Sequence, residues 1–233
     1  MGKSLTQQKR GKGSPAYTAP SFKYVADAKL LQKSGYRILD MIICRGHSAP
    51  LAEIMYNDNS KGHIIAAEGM KVGNEYIVGA DAPIALGNSL PLGNIPEGTL
   101  VYNIEACRGD GGKYIRTSGG AGRIVNRTPE GVIVLMPSKK SKTFNPSCYA
   151  IIGIVAGGER KEKPFVKAGN KYYKMKARNK YWPIVSGVSR NAVDHPFGGS
   201  RTSKKGKPTI APKNAPPGRK VGKIRPRRTG RKK

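Results

Sequence analysis

The sequence has 233 residues with 43 lysines and arginines against 14 aspartates and glutamates, a formal net charge of +29. That length admits one large domain or two small ones with tails, and self-repulsion of this size opposes a compact state unless a polyanion offsets it. Nucleic acid is the first candidate partner and an acidic membrane surface the second, and a spanning helix is excluded because no apolar run approaches the ~18 residues it needs.

Residues 1–26 hold five basic residues and no acid. Lys, Gly, Ser, Pro and Gln dominate, so the segment reads as an extended arm with too little apolar surface to offset the entropy of ordering. It lacks the apolar stretch of a secretory signal. Arg10 and Lys23 are interleaved with Tyr17, Phe22 and Tyr24, a mixture in which cations meet phosphates while rings stack on bases.

The middle of the chain is a series of short apolar runs separated by turn residues: 36–44, 51–56, 63–68, 76–80, 99–107, 123–127, 131–136 and 148–156. Short β-branched and aromatic runs about ten residues apart predict an all-β fold of small barrels or a sandwich. Within 99–107 the alternation puts Leu100, Tyr102, Ile104 and Ala106 on one face and Thr99, Asn103 and Glu105 on the other. The Pro/Gly-rich segment 82–98 is the candidate boundary between two barrels in tandem, with four or five strands before it and about five after; a single larger barrel is the alternative. Cys44, Cys107 and Cys148 form no CxxC pair, so they read as buried reduced thiols. His47 and His63 belong to no ligand spacing, and no metal or cofactor site is expected.

Residues 168–182 contain no proline or β-branched residue and predict a short basic helix, with Asn170 as its cap. Trp182 with Tyr172, Tyr173 and Tyr181 reads either as core packing or as a stacking surface. From 200 to 233 there are fourteen basic residues and no acid; this low-complexity tail cannot build a core alone.

Two stretches invite a chemical reading. In "RGDGGKYIRTSGGAGR" (108–123), Arg108, Lys113, Arg116 and Arg123 sit on glycine-rich turns whose N–H groups and cations could both meet phosphate. No P-loop or dinucleotide fingerprint is present, and two ordinary turns are the plain alternative. In "SRNAVDHPFGGSR" (189–201), Asp194 and His195 stand beside Pro196, Phe197, Gly198 and Gly199, between Arg190 and Arg201. Adjacent residues rarely act as orienter and base, and no nucleophile is in a recognisable setting, so catalytic residues are not expected. The loop reads as a contact surface in which the ring of Phe197 stacks and the glycines admit a close approach, or as a histidine bonded to its own backbone.

The blocks "YRILD", "SAPLAEIMY", "IIAAEGMKVG", "LGNSLPLGNIPEGTLVYNIE", "GGKYIRTSGGAGRIV" and "SRNAVDHPFGG", in this order, resemble the universal large-subunit ribosomal protein family numbered two, in its archaeal and eukaryotic branch. The resemblance implies an OB-type barrel followed by an SH3-like barrel with extended basic arms: arm 1–34, OB-like barrel 35–84, SH3-like barrel 85–166, and helix, His195 loop and arm 167–233. It implies binding of large-subunit rRNA, support of subunit association, tRNA placement and the architecture of the peptidyl-transferase region. The implied partners are rRNA, neighbouring ribosomal proteins and the small subunit at the bridge, in the cytoplasm, with no membrane, small-molecule substrate or enzyme activity. The family's important histidine falls on His195; where the bacterial loop reads "HPHGG", Phe197 stands here. The expected rRNA contacts are Arg10, Arg108, Lys113, Arg116, Arg123, Arg190, His195, Phe197, Gly198, Gly199, Arg201, Lys204, Lys205, Arg219, Lys220, Arg227 and Arg228. The rival readings are an RNA-modifying enzyme with His195 as base and a nucleic-acid chaperone acting outside the ribosome.

Overall fold

The computed structural model describes residues 2–199 and 208–226. The chain divides into two units, residues 21–165 and the two termini together, 1–20 with 166–233.

The larger unit is all-β. Strands β1 (Gly35–Ile42), β2 (Leu51–Tyr56), β3 (Lys61–Ile65) and β4 (Glu75–Ile77) form an antiparallel sheet in the order β3-β2-β1-β4. The register of β1 against β2 shifts between Ile38 and Asp40, a bulge that bends the sheet toward closure. The β2–β3 hairpin turns where the sequence runs Asn-Asp-Asn-Ser: Asn59 adopts a left-handed φ of 61° and Asp58 accepts the Ser60 N–H at 3.1 Å. A second sheet holds β5 (Ser89–Pro91), β6 (Leu100–Tyr102), β7 (Gly122–Thr128), β8 (Gly131–Leu135), β9 (Ser141–Phe144) and β10 (Tyr149–Ile152), ordered β5-β10-β6-β7-β8-β9. The fold is thus an OB-type barrel followed by an SH3-like barrel.

One continuous core runs through both barrels, from Ala28 through Tyr36, Ile54, Ile65 and Tyr102 to Val155. Its tyrosines keep their hydroxyls paired: Tyr36 donates to Gly87 O at 2.7 Å and Tyr102 to Ile65 O at 3.1 Å. Burial therefore pushes the pKa of both phenols well above the usual value of 10.0.

Three sequence expectations change here. The 82–98 segment contains β5 and the buried Leu90, Leu92 and Ile95, so its glycines and prolines shape core-facing turns. β9 was absent from the reading because only Phe144 of its four residues is buried. The alternation at 99–107 stops early: Asn103 takes a left-handed φ of 50°, β6 ends at Tyr102, and Asn103 and Glu105 both turn inward.

The smaller unit is built from short pieces. The N-terminal segment holds a six-residue helix α1 (Thr6–Gly11), whose start is secured by the Gln8 side chain accepting the Leu5 N–H at 2.7 Å, followed by a turn in which Ser14 O accepts the Tyr17 and Thr18 N–H groups. Helix α2 (Ala168–Lys176) is shorter than predicted, and its N-cap is Lys167, not Asn170. It ends where Asn179 adopts a φ of 50°, with Asn179 N–H bonded to Lys176 O and Lys180 N–H to Met175 O, the pairing of a Schellman stop. In the tail, β11 (Ile210–Ala211) pairs in parallel with β12 (Lys223–Ile224). Leu5, Phe197 and Val221, packed with Val188, form the unit's small apolar cluster. The tail's contribution to it is one residue, Val221, and it depends on the other two segments.

Candidate nucleic-acid interface

In the glycine-rich turns of the barrel unit, the N–H groups of Gly109, Gly111, Gly112, Gly119 and Gly120 are already taken. Buried Glu105 accepts the N–H groups of Gly109 at 3.1 Å, Gly111 at 3.3 Å and Tyr149 at 2.9 Å, and the Gln32 amide. Asp110 accepts those of Ala106, Cys107 and Gly112. Partial burial opposes ionisation of Asp110, but the three N–H donors outweigh it and hold its pKa below the usual value. In the second turn the Ser118 N–H goes to Ser48 Oγ, that of Gly119 to Val155 O and that of Gly120 to Thr117 O. These turns therefore offer cations, not a cradle of amides. Arg108, Lys113 and Arg123 are exposed. Arg116 is turned inward: its guanidinium donates to Ala28 O at 2.5 Å and Gly112 O at 3.3 Å, and burial lowers its pKa. Arg116 ties the turn to the segment before β1, which removes it from the exposed set.

The His195 loop is folded on itself. Asn191 O accepts the N–H groups of Asp194 at 2.9 Å and His195 at 3.2 Å, His195 O accepts that of Gly198 at 2.9 Å, and Arg190 O that of Gly199 at 3.2 Å. A Cβ at Gly198 would lie 2.4 Å from the carbonyl oxygens of both Arg190 and Asn191, and Gly199 has a φ of +95°. The two glycines thus serve close approach of the loop to its own backbone. Phe197 is 7% exposed, because its ring fills the cluster with Leu5 and Val221. The expected surface stacking ring is an interior anchor.

His195 is half-buried. Its Nδ1 accepts the Phe197 N–H at 3.1 Å, which places the proton of the neutral ring on Nε2. Burial, and then the Arg190 charge, hold its pKa below the usual 6.5. The ring lies against Gly187, where a Cβ would sit 2.3 Å from Cε1. Asp194 pairs instead with Lys3, at 3.7 Å, and Lys3 N–H donates to Val193 O at 2.8 Å. The Asp–His pairing that catalysis would need is therefore not made.

Helix α1 brings Arg10 to this loop. Arg10, Arg190 and His195 line one cleft of about 210 Å³, with Gln7, Tyr181 and Ile184. Nothing in the sequence signals that these three residues meet, and Leu5 and Lys3 carry no local signal either, because their roles depend on residues nearly two hundred positions away. Arg219 and Lys220 are exposed in the turn before Val221. Arg201, Lys204, Lys205, Arg227 and Arg228 lie outside the described residues. Cys107, expected to be buried, is exposed, while Cys44 and Cys148 are buried. Among the described residues no three His, Cys, Asp or Glu side chains gather as a cation site, and no helix is long and apolar enough to cross a membrane.

Two barrels with outward cations and two carboxylate-poor termini folded around a histidine loop make a polyanion-binding architecture. Residues 85–219 match the family model described as Ribosomal Proteins L2, C-terminal domain. Over 99% of its length and of theirs, the chain is 51% identical to the large ribosomal subunit protein uL2 of Archaeoglobus fulgidus and 49% identical to that of Methanocaldococcus jannaschii. It is 47% identical to the Haloarcula marismortui protein of the same name, over 99% of this chain and 98% of that one. The chain belongs to the L2 family of large-subunit ribosomal proteins, in its archaeal branch.

Proposed function

We propose that the chain is a structural component of the large ribosomal subunit in the cytoplasm, which binds large-subunit rRNA and serves translation without catalysing a reaction itself. What carries this reading, beside family membership, is the convergence of Arg10, Arg190 and His195 on one cleft while Asp194 is held away by Lys3. Two guanidinium groups and an imidazole with its proton on Nε2 suit a phosphate and an adjoining base or ribose.

On this reading the barrels, 35–84 and 85–166, form a base that grips folded RNA by shape and phosphates, and the arms, 1–34 and 167–233, enter RNA crevices. Arg108, Lys113, Arg123, Arg219 and Lys220 meet phosphate directly. Arg116, Phe197, Gly198 and Gly199 act from within by holding the turns that present them. Arg201, Lys204, Lys205, Arg227 and Arg228 add further phosphate contacts. Contacts with neighbouring ribosomal proteins and the small subunit, and support of tRNA placement and the peptidyl-transferase region, follow from a loop seated in the subunit's RNA. With six to ten phosphate contacts, affinity for rRNA should fall by roughly 10³ to 10⁵ between 50 and 200 mM salt.

Hydrogen exchange on the free protein and on the protein assembled into large subunits tests this. Protection gained at 2–26, 189–199 and 208–226 on assembly is expected. Unchanged exchange throughout those segments would reject RNA contact by the arms and the loop.

A further inference from the structure

The end of helix α2 makes a surface that the reading above does not use. The Schellman stop at Asn179 turns the chain so that Lys180, Tyr181 and Trp182 run on from the helix. The Asn179 side-chain amide donates to Pro15 O at 2.8 Å and Thr18 O at 3.1 Å, which fastens the N-terminal segment alongside. Tyr17 and Tyr181 then stand with ring centroids 6.5 Å apart at an interplanar angle of 36°. Between these residues, Tyr172 and Trp182 lies a groove of about 400 Å³, a volume within the range of pockets that take small planar ligands.

These rings are not spent on a core. Tyr172 is 42% exposed, Tyr173 69% and Tyr181 36%. Cations accompany them: Lys171 Nζ is 5.5 Å from the Trp182 ring centre and Lys176 Nζ 6.0 Å from that of Tyr172. The walls come from stretches, 1–26 and 163–193, that contain no carboxylate. Exposed ring faces rimmed by lysines and lacking any acid complement a ligand that is flat and apolar in one part and anionic in the next. Successive nucleotides of a single strand have that character, and base–aromatic stacking is tolerant of sequence.

We propose that the Tyr17–Tyr172–Tyr181–Trp182 groove is a stacking site for unpaired bases of single-stranded RNA. The inference rests on the reading that this protein binds RNA, and it adds a groove that adjoins the Arg10–Arg190–His195 cleft, with Tyr181 lining both.

Trp182 is the chain's only tryptophan, so its emission reports on the groove alone. The full-length protein is titrated with an oligoadenylate of about ten nucleotides, with inorganic polyphosphate of matching charge, and with an acidic peptide. Saturable quenching by the oligoadenylate and none by polyphosphate is expected. Tyr172→Leu and Tyr181→Leu should each weaken oligoadenylate binding by at least about five-fold, while Tyr181→Phe, which keeps the ring, retains affinity and serves as the folding control. Equal emission changes with polyphosphate would mean charge alone occupies the groove and would overturn the proposal. So would quenching by the acidic peptide without quenching by RNA, which marks a protein partner. If the oligoadenylate binds by fluorescence anisotropy but leaves Trp182 emission and the Tyr172→Leu affinity unchanged, the groove proposal alone is lost, because Tyr172 lines the groove and not the Arg10–Arg190–His195 cleft. If no RNA binds at all, the RNA-binding reading falls with it.

Discussion

The two units hold their candidate contact residues in place by different means. In the barrel unit, Arg108 and Lys113 stand on a turn whose amides are locked by buried Glu105, by Asp110 and by neighbouring carbonyls, and Arg123 stands on β7, above a core that runs through ten strands. In the terminal unit, the His195 loop, α1 and the tail are held by Leu5, Phe197 and Val221, by a two-residue parallel ladder and by an exposed ion pair. The first arrangement is stiff before any partner arrives. The second is shaped but shallow, as expected of a region with few buried apolar contacts and low local stability. Rigid presentation of charge and a loosely held loop, the one proposed to meet RNA, are thus separated along one chain.

That contrast can be broken most severely at Glu105. Glu105→Ala leaves the N–H groups of Gly109, Gly111 and Tyr149 without their acceptor, and the barrel should lose about 3 to 5 kcal/mol, read as a lower urea midpoint. An unchanged midpoint would mean the turn is held by something else. Next in size is Phe197→Ala, which should cost about 2 kcal/mol or more, all of it in the terminal unit. Exchange at the amides of Lys3, Gly198 and Gly199 should rise by roughly 30-fold while the barrel amides stay protected. A drop in barrel protection would show that the two units share their stability.

A pair of arginines sharpens the contrast within the barrel unit. Arg108→Ala should reduce the slope of log affinity against log salt by about one and leave stability within about 0.5 kcal/mol. Arg116→Ala should do the reverse, costing about 1 to 2 kcal/mol through its bonds to Ala28 O and Gly112 O, with little change in salt slope. The smallest effect is a pH dependence at His195. Its folded pKa lies below the unfolded value, so the unfolded loop takes up the proton first as pH falls. Loop stability is full above about 6.5 and declines as pH drops through the lower folded value. An NMR titration should find the His195 midpoint below 6.5, with the Phe197 amide shifting in step. A midpoint at or above 6.5 would mean that burial and the Arg190 charge do not act on the ring in this way.

The barrels were legible because β-branched runs and turn residues act locally: β1, β2, β3 and β8 stand close to where their patterns place them. What escaped the reading depends on distant partners. Glu105 looks like an outward-facing strand residue until Gln32 and Tyr149 are known to be beside it. Phe197 looks like a surface ring in a glycine-rich loop until Leu5 and Val221 cover it. Arg116 resembles Arg108 in its sequence setting, and only the carbonyl of Ala28 separates a buried tie from an exposed cation. The aromatic groove was half visible: its lysines and rings could be read, but not the Asn179 amide that fastens Tyr17 opposite Tyr181.

The Leu5–Phe197–Val221 cluster also sets an order of events during synthesis. Val221 is made long after Leu5. At about 5 to 20 residues per second, some 10 to 45 s separate them. The barrels, complete by residue 165, can fold while the N-terminal segment still waits for its partner. The His195 loop therefore acquires its shape after the barrels, and any RNA that meets the nascent chain meets a finished barrel carrying an unfinished loop.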